Sequence, residues 1–344
     1  MTTASIASAR GSGAPPLLSV RGLTTQFPTP RGLLRAVDDV NLDVWPGECV
    51  GIVGESGSGK SVTFSSVMGL VRAPGEVIAG EILFEGQDLR RISPEAMRRV
   101  RGKRIAMTMQ DALTALNPAF TVGNQLVETV LAHDDDIAAL PAWKRRRAAR
   151  ERALEMMTLV GIPEPATRLD DYPHQFSGGM RQRIMIATAL VCRPRLLIAD
   201  EPTTALDVTI QAQVLELVRE LRRSLGMSVV LITHDLGVVA EQCDRVFVMY
   251  AGQVVESGSV REVIDTPLHP YTQGLLGATP RVENLAAPVK PIAGTVPDLV
   301  HLPAQCRFLS RCPRSEDRCR TQVPMDPHPT ERRARCLLAL ESQR

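Results

Sequence analysis

Aromatic residues are scarce in this chain of 344 residues, 3% of the total against 44% hydrophobic residues overall, so a core must come from aliphatic side chains. That balance suits an α/β fold packed from Val, Ile and Leu. A charge of one sign is also lacking: 40 Lys and Arg stand against 38 Asp and Glu, a net charge of +2. Such a chain has no general attraction to nucleic acid or to anionic lipid. No apolar run approaches the roughly 18 residues needed to cross a bilayer, so any membrane role is expected to be peripheral. Residues 1–16 are small and polar, without the apolar stretch of a secretion signal, and are expected to form a disordered tail. With no export signal, a reducing compartment is expected and disulfides are not. Of the 7 cysteines, Cys49, Cys192 and Cys243 stand singly in apolar segments, as ordinary buried thiols do. No internal repeat is visible.

What is present gathers around Gly54-Glu55-Ser56-Gly57-Ser58-Gly59-Lys60-Ser61, a G-x-x-x-x-G-K-S pattern that follows the apolar run Cys49-Val50-Gly51-Ile52-Val53. A strand feeding such a loop makes a phosphate cradle. Its glycines let the backbone curl until successive N–H groups face an anion, and a helix starting near Lys60 adds the positive end of its dipole. Lys60 is placed to reach the β- and γ-phosphates, and the Ser61 hydroxyl to ligate Mg²⁺. A plain glycine turn would not require the Lys-Ser pair.

The periodicity predicts strands over 17–20 and 35–44 as a half-exposed antiparallel edge, with Phe27 in the loop between them. That ring could stack on an adenine or simply join the core. A helix is expected over 61–71, short strands over 76–89, a basic helix over 95–104, and a strand over 105–109 that ends at Gln110. A side chain at a strand's carboxyl end is where α/β folds bind ligands, though Gln110 alone could equally be surface. Residues 111–188 read as mostly helical. The run Lys144-Arg145-Arg146-Arg147 lies on a long helix over 143–160, where mixed charges and the absence of interleaved aromatics indicate a solvated face rather than a nucleic-acid site.

Ser177-Gly178-Gly179-Met180 opens another helix and offers either a second anion site or a simple N-cap. The apolar strand 196–199 closes on Asp200-Glu201, a carboxylate pair at the phosphate end of a buried parallel strand. Asp200 would hold Mg²⁺ through water and Glu201 would orient the attacking water. A helix over 208–225 and a strand over 228–233 lead to His234, which could touch a γ-phosphate or be merely structural. A helix over 236–243 and strands over 245–250 and 253–256 complete the core.

In this order the motifs resemble those of the ATP-binding subunit of an ABC transporter, over nearly all of residues 17–344. The resemblance implies an α/β fold: a P-loop NTPase (RecA-like) core with an antiparallel β edge, a helical subdomain over about 111–188, and a small Cys-containing C-terminal extension. It places a disordered tail at 1–16, the nucleotide-binding domain at 17–265 and the extension at 266–344. It makes Gly54 to Ser61 the Walker A loop and Gln110 the Q-loop residue, which helps to ligate Mg²⁺. Ser177, Gly178, Gly179 and Met180 become the signature and Glu201 the catalytic carboxylate. Ala205-Leu206-Asp207 becomes the D-loop, His234 the switch histidine and Phe27 the adenine-stacking aromatic. Two such domains pack head to tail, so each ATP is held between the Walker A loop of one and the signature of the other.

A finer similarity is to the dipeptide, oligopeptide and nickel group of importers. The segment Met109 to Pro118 is similar to that group's Q-loop region, with Ala112 departing from its pattern, and His269-Pro270-Tyr271-Thr272 and Gly294-Thr295-Val296-Pro297 are similar to its extension. The resemblance implies a second ATPase subunit in a heterodimer, two transmembrane permease subunits, an extracytoplasmic binding protein, and a place on the cytoplasmic face of the membrane. Peptides are the expected cargo, with nickel or another small solute as the alternative. A soluble ABC ATPase acting on nucleic acid or the ribosome is a rival of another class. The single Walker A, the balanced charge and the absence of heptads speak against it.

Cys306, Cys312, Cys319 and Cys336 are spaced C-x5-C-x6-C-x16-C in a Pro- and Arg-rich segment too polar for its own core. Four thiols there suggest a metal staple. The residues alone favour Zn²⁺, although the paired C-x2-C of structural zinc sites is lacking. The resemblance favours a [4Fe–4S] cluster, and buried unliganded thiols remain the plain alternative.

Overall fold

The computed structural model of the chain describes residues 15–110, 115–204, 206–278, 291–300, 302–327 and 332–341. The expected tail before Pro15, the Q-loop residues 111–114 and Ala205 lie outside them. The strands in chain order are β1 (Leu18–Thr29), β2 (Gly32–Val44), β3 (Cys49–Val53), β4 (Glu76–Phe84), β5 (Gln87–Asp88), β6 (Ile105–Thr108), β7 (Leu196–Asp200), β8 (Ser228–Thr233), β9 (Arg245–Tyr250), β10 (Gln253–Ser259), β11 (Asp326–Pro327) and β12 (Arg333–Ala334). Two compact units result: Ile92–Val230, and the described residues up to Arg91 together with those from Leu231 on.

In the second of these, β2, β1, β4 and β5 form an antiparallel sheet of their own. The edge is more continuous than its sequence suggests, although its ladders shift register between Val20 and Gln26. One strand runs through the segment expected to be a loop, pairing from Leu18↔Val44 to Thr29↔Gly32, so Phe27 belongs to a strand. Pairing with β2 carries the strand through Pro28 and Thr29, and Pro30 lies in the turn that follows. Pro28 is tolerated because the β4 ladder has already ended at Gln26↔Glu76, and no partner there needs its missing N–H.

The phosphate-loop strand β3 is buried along its whole length and runs parallel to β9. β9 continues antiparallel into β10, and β10 into β12. Against β9 and β10 packs an apolar cluster that includes Val53, Val248, Tyr250, Tyr271 and Phe308, with Cys306 and Cys312 at its margin. Ring centroids of Tyr250, Tyr271 and Phe308 lie 4.6, 5.2 and 5.4 Å apart. Few aromatics are available to this chain, and three of them join residues beyond 300 to the strand beside the phosphate loop.

In the unit Ile92–Val230, β6 and β7 pair in parallel from Ile105↔Leu196 to Thr108↔Ala199. Its helices include Val122–His133, Ala142–Leu159, Gly178–Leu190 and Val208–Leu225. The basic helix expected over 95–104 is confined to Pro94–Val100, because Arg101 is extended and Gly102 turns the chain into β6. The arginines of Ala142–Leu159 lie at the surface in mixed company, with Arg147 pairing Glu151 at 2.9 Å and Arg150 pairing Asp170 at 2.8 Å.

Candidate functional site

The phosphate loop follows directly from β3. Gly57 and Gly59 have φ of 74° and 99°, and a Cβ on Gly59 would lie 2.4 Å from the Ala36 carbonyl oxygen, so only glycine fits. The next residue begins the helix Lys60–Val67, whose cap is Gly59 and has no side-chain bond to the first turn. Lys60 is 6% exposed; its Nζ donates to the Gly54 carbonyl at 2.7 Å and to that of Glu55 at 3.0 Å, placing the ammonium inside the curl. The Ser58 N–H donates to the Glu55 carbonyl, and the Gly252 N–H to that of Ser58. The Ser58 hydroxyl is buried without a partner among the described residues, and Ser61 is exposed at the first turn. A buried cation in a glycine cradle at an uncapped helix start is chemistry suited to an anion.

Glu55 is held from several sides. Its N–H donates to Tyr271 Oη at 2.9 Å. Its carboxylate takes a two-pronged bond from Arg311, Nη1 to Oε2 at 2.7 Å and Nη2 to Oε1 at 3.0 Å. The Arg311 side chain is 3% exposed. Its guanidinium lies 5.7 Å from the Tyr250 ring centroid and 5.9 Å from that of Phe308, and also donates to the carbonyls of Ile292 and Ala293. The Glu55 carboxylate holds the Arg311 proton even more firmly than usual, and burial pushes the Tyr271 phenol up. Sequence reasoning did not find Arg311. Its only signal was its place beside Cys312.

Phe27 is half-buried, with its ring against Gly75, where a Cβ would meet it at 2.2 Å. His234 is exposed just beyond β8, ahead of Asp235, which caps the helix Leu236–Gln242 by accepting from the Gly237 N–H at 2.7 Å.

In the other unit, β7 ends at Asp200, which is 8% exposed. Glu201 follows with φ of 46°, a left-handed backbone that residues with side chains seldom adopt. Its Oε2 accepts from Gln110 Nε2 at 2.8 Å and from Thr204 Oγ1 at 2.9 Å. The structure thus joins two residues that the sequence only set in parallel. Ser177 caps the helix Gly178–Leu190, accepting from the Met180 N–H at 3.4 Å. Gly178 is exposed and Gly179 and Met180 are half-buried. Further along, buried Gln182 donates to the Pro202 carbonyl, fixing the turn after Glu201. Asp207 caps the helix Val208–Leu225 through the Ile210 N–H at 2.9 Å.

Cys306, Cys312, Cys319 and Cys336 line one small cavity with His269, Phe308 and Leu338. All are free thiols. Burial, with the neighbouring thiols adding to it, pushes Cys306 up to about 11, and burial raises Cys312 and Cys336 as well. Among the described residues, no group of three or more His, Cys, Asp or Glu side chains is placed to hold a metal ion. Of the other three, also free thiols, Cys49 is buried and Cys192 and Cys243 are half-buried; the Cys49 and Cys243 sulfurs lie 3.7 Å apart, because β3 and the segment before β9 run side by side.

Comparison with known proteins adds the following. Residues 37–204 match the family model described as ABC transporter, and residues 255–319 match that of the oligopeptide/dipeptide transporter C-terminal region. A dipeptide transport ATP-binding protein, DppD, of Bacillus subtilis is 53% identical over 86% of this chain and 87% of its own. DppD of Escherichia coli is 49% identical over 90% and 92%. Among solved structures, the dimeric bacterial ABC transporter cassette MJ0796 superimposes with a TM-score of 0.61 at 27% identity, over 71% of this chain and 99% of that one.

Proposed function

We propose, since this chain belongs to the ABC transporter family, that it is the ATP-hydrolysing subunit of a peptide importer, powering uptake of di- and oligopeptides. The observation that supports this reading best is Lys60 held on the carbonyls of Gly54 and Glu55 inside a glycine loop. In this reading the N–H groups of Gly54 to Ser61 and the Lys60 ammonium bind the ATP phosphates, and Phe27 stacks on the adenine. Mg²⁺ is held by Ser61, Gln110 and Asp200. Glu201 orients and polarises the attacking water, and His234 contacts the γ-phosphate. Ser177, Gly178, Gly179, Met180 and Asp207 serve the nucleotide of the partner ATPase. The nucleotide-binding domain is assigned to residues 17–265, with its helical part at about 111–188, and the extension to 266–344.

The partners are a second, different ATPase subunit, two permease subunits and an extracytoplasmic binding protein. No helix among the described residues is long and apolar enough to cross a membrane, so attachment to the cytoplasmic face, at the inner membrane in a two-membrane cell, would be peripheral. The four cysteines bear on a cofactor. Four thiols lining one small apolar cavity are a ligand set that a [4Fe–4S] cluster takes, with Zn²⁺ as the alternative. Such a cluster would tie the extension together through Cys306, Cys312, Cys319 and Cys336.

The test is uptake of labelled di- and oligopeptides by cells carrying Lys60→Ala, with any redundant motor removed. Loss of uptake supports the reading. Unchanged peptide uptake turns the cargo toward nickel or another small solute.

A further inference from the structure

Glu55 is the one residue of the phosphate loop gripped at its N–H, its carbonyl and its carboxylate at once, by Tyr271, Lys60 and Arg311. Two of these partners belong to the extension side of the unit, and the third is the loop's own lysine. Exposed ion pairs add little to stability. This one is two-pronged, with a guanidinium 3% exposed and flanked by Tyr250 and Phe308, the setting in which geometry is enforced.

Arg311 is carried on the short turn Leu309–Arg311. That turn is fastened at both ends to residues of the four-thiol cavity. The Leu309 N–H donates to the Cys306 carbonyl at 3.1 Å, and the Cys312 N–H donates to the Leu309 carbonyl at 3.4 Å. Whatever fixes the Cys306 and Cys312 sulfurs therefore fixes the turn, and the turn aims the guanidinium at Glu55.

We propose that Arg311 is a positioning residue for the nucleotide site, carrying the occupancy of the four-cysteine site to the phosphate loop through Glu55. The inference rests on the ATP and thiol-ligation readings given above. Arg311 acts through its bond to Glu55, whose carbonyl in turn holds Lys60. A filled thiol site keeps the loop in the shape that binds MgATP, and loss of the bound group frees Arg311 and loosens it. Linkage makes the effect reciprocal: MgATP must then retard loss of the bound group.

The test measures MgATP affinity and metal retention together on the full-length chain purified anaerobically, with iron, zinc and sulfide assayed. Arg311→Gln is expected to keep its metal and sulfide but to bind MgATP about tenfold more weakly, with partial recovery in Arg311→Lys. Glu55→Gln should match it, and the double variant should be no weaker than either single one. Saturating MgATP should slow extraction of the metal by a chelator in the wild type and have no effect on it in Arg311→Gln. Wild-type MgATP affinity in Arg311→Gln, or equal protection of the metal in both proteins, overturns the proposal. Undiminished binding in Lys60→Ala instead places the fault in the nucleotide reading. Wild-type protein devoid of iron and zinc places it in the thiol reading, and the coupling falls with it.

Discussion

Gln110 Nε2 and Glu201 Oε2 are 2.8 Å apart, and Thr204 Oγ1 donates to the same carboxylate oxygen at 2.9 Å. Two neutral donors on one oxygen hold the Glu201 carboxylate in a defined rotamer. Such a carboxylate is ready to accept a proton or align a water, and Glu201→Gln removes that ability with almost no change of shape. ATP turnover should fall by about 10²–10⁴-fold while MgATP binding persists. A variant that hydrolysed ATP at the wild-type rate would refute the assignment of Glu201.

Lys60→Ala removes the buried ammonium that bridges the Gly54 and Glu55 carbonyls. MgATP affinity should drop below detection in a fluorescent-nucleotide titration. Retained binding would mean that the loop does not cradle the phosphates.

Asp207 has a structural task, because its side chain caps the helix Val208–Leu225. Asp207→Ala should cost about 1 kcal/mol in thermal unfolding, and Asp207→Asn or Asp207→Ser much less. If Asp207→Ser melts as the wild type yet hydrolyses ATP more slowly, the carboxylate also acts on the nucleotide.

His133 predicts a pH dependence. Burial, reinforced by the Arg98 charge, holds its imidazole below the ordinary value of 6.5. The folded chain thus binds fewer protons than the unfolded chain as pH falls below 6.5, so stability is full above that value and declines beneath it. Thermal melts at pH 8 and pH 5.5 should differ less in His133→Gln than in the wild type, about this single titration. Equal pH sensitivity in the two proteins would show that His133 does not contribute.

Anaerobically purified protein should be brown and carry about four irons per chain, and any one Cys→Ser change at Cys306, Cys312, Cys319 or Cys336 should bleach it. Colourless protein bearing zinc would rule out the iron–sulfur assignment.

Much of this was legible in the sequence because the motifs carry their own geometry. The helix Val208–Leu225 and the strands β8 and β9 have the boundaries that their apolar spacing predicts. Phe27 was misread as a loop residue because local propensity around Pro28 cannot report that β2 pairs with the strand as far as Thr29↔Gly32. The pairing of Arg311 with Glu55 spans 256 residues of sequence, and that of Cys49 with Cys243 spans 194. Periodicity is a local signal, and it is silent on contacts that only the assembled sheet creates. A lone arginine in a Pro- and Arg-rich stretch looks solvated until the Tyr250 and Phe308 rings close over it.

The packing of Tyr250, Tyr271 and Phe308 bears on how such motors diversify. Phe308 of the extension meets Tyr250 of β9 edge-on and Tyr271 at a tilt, so the extension and the cassette share one aromatic core. It is therefore not a detachable module. A foreign extension grafted onto this cassette would have to bring counterparts of Tyr271 and Phe308 to meet Tyr250, and a cassette ending at residue 265 would present the bare Tyr250 ring to solvent. A change in any one of the three rings therefore has to be matched in the other two if the shared core is to stay filled.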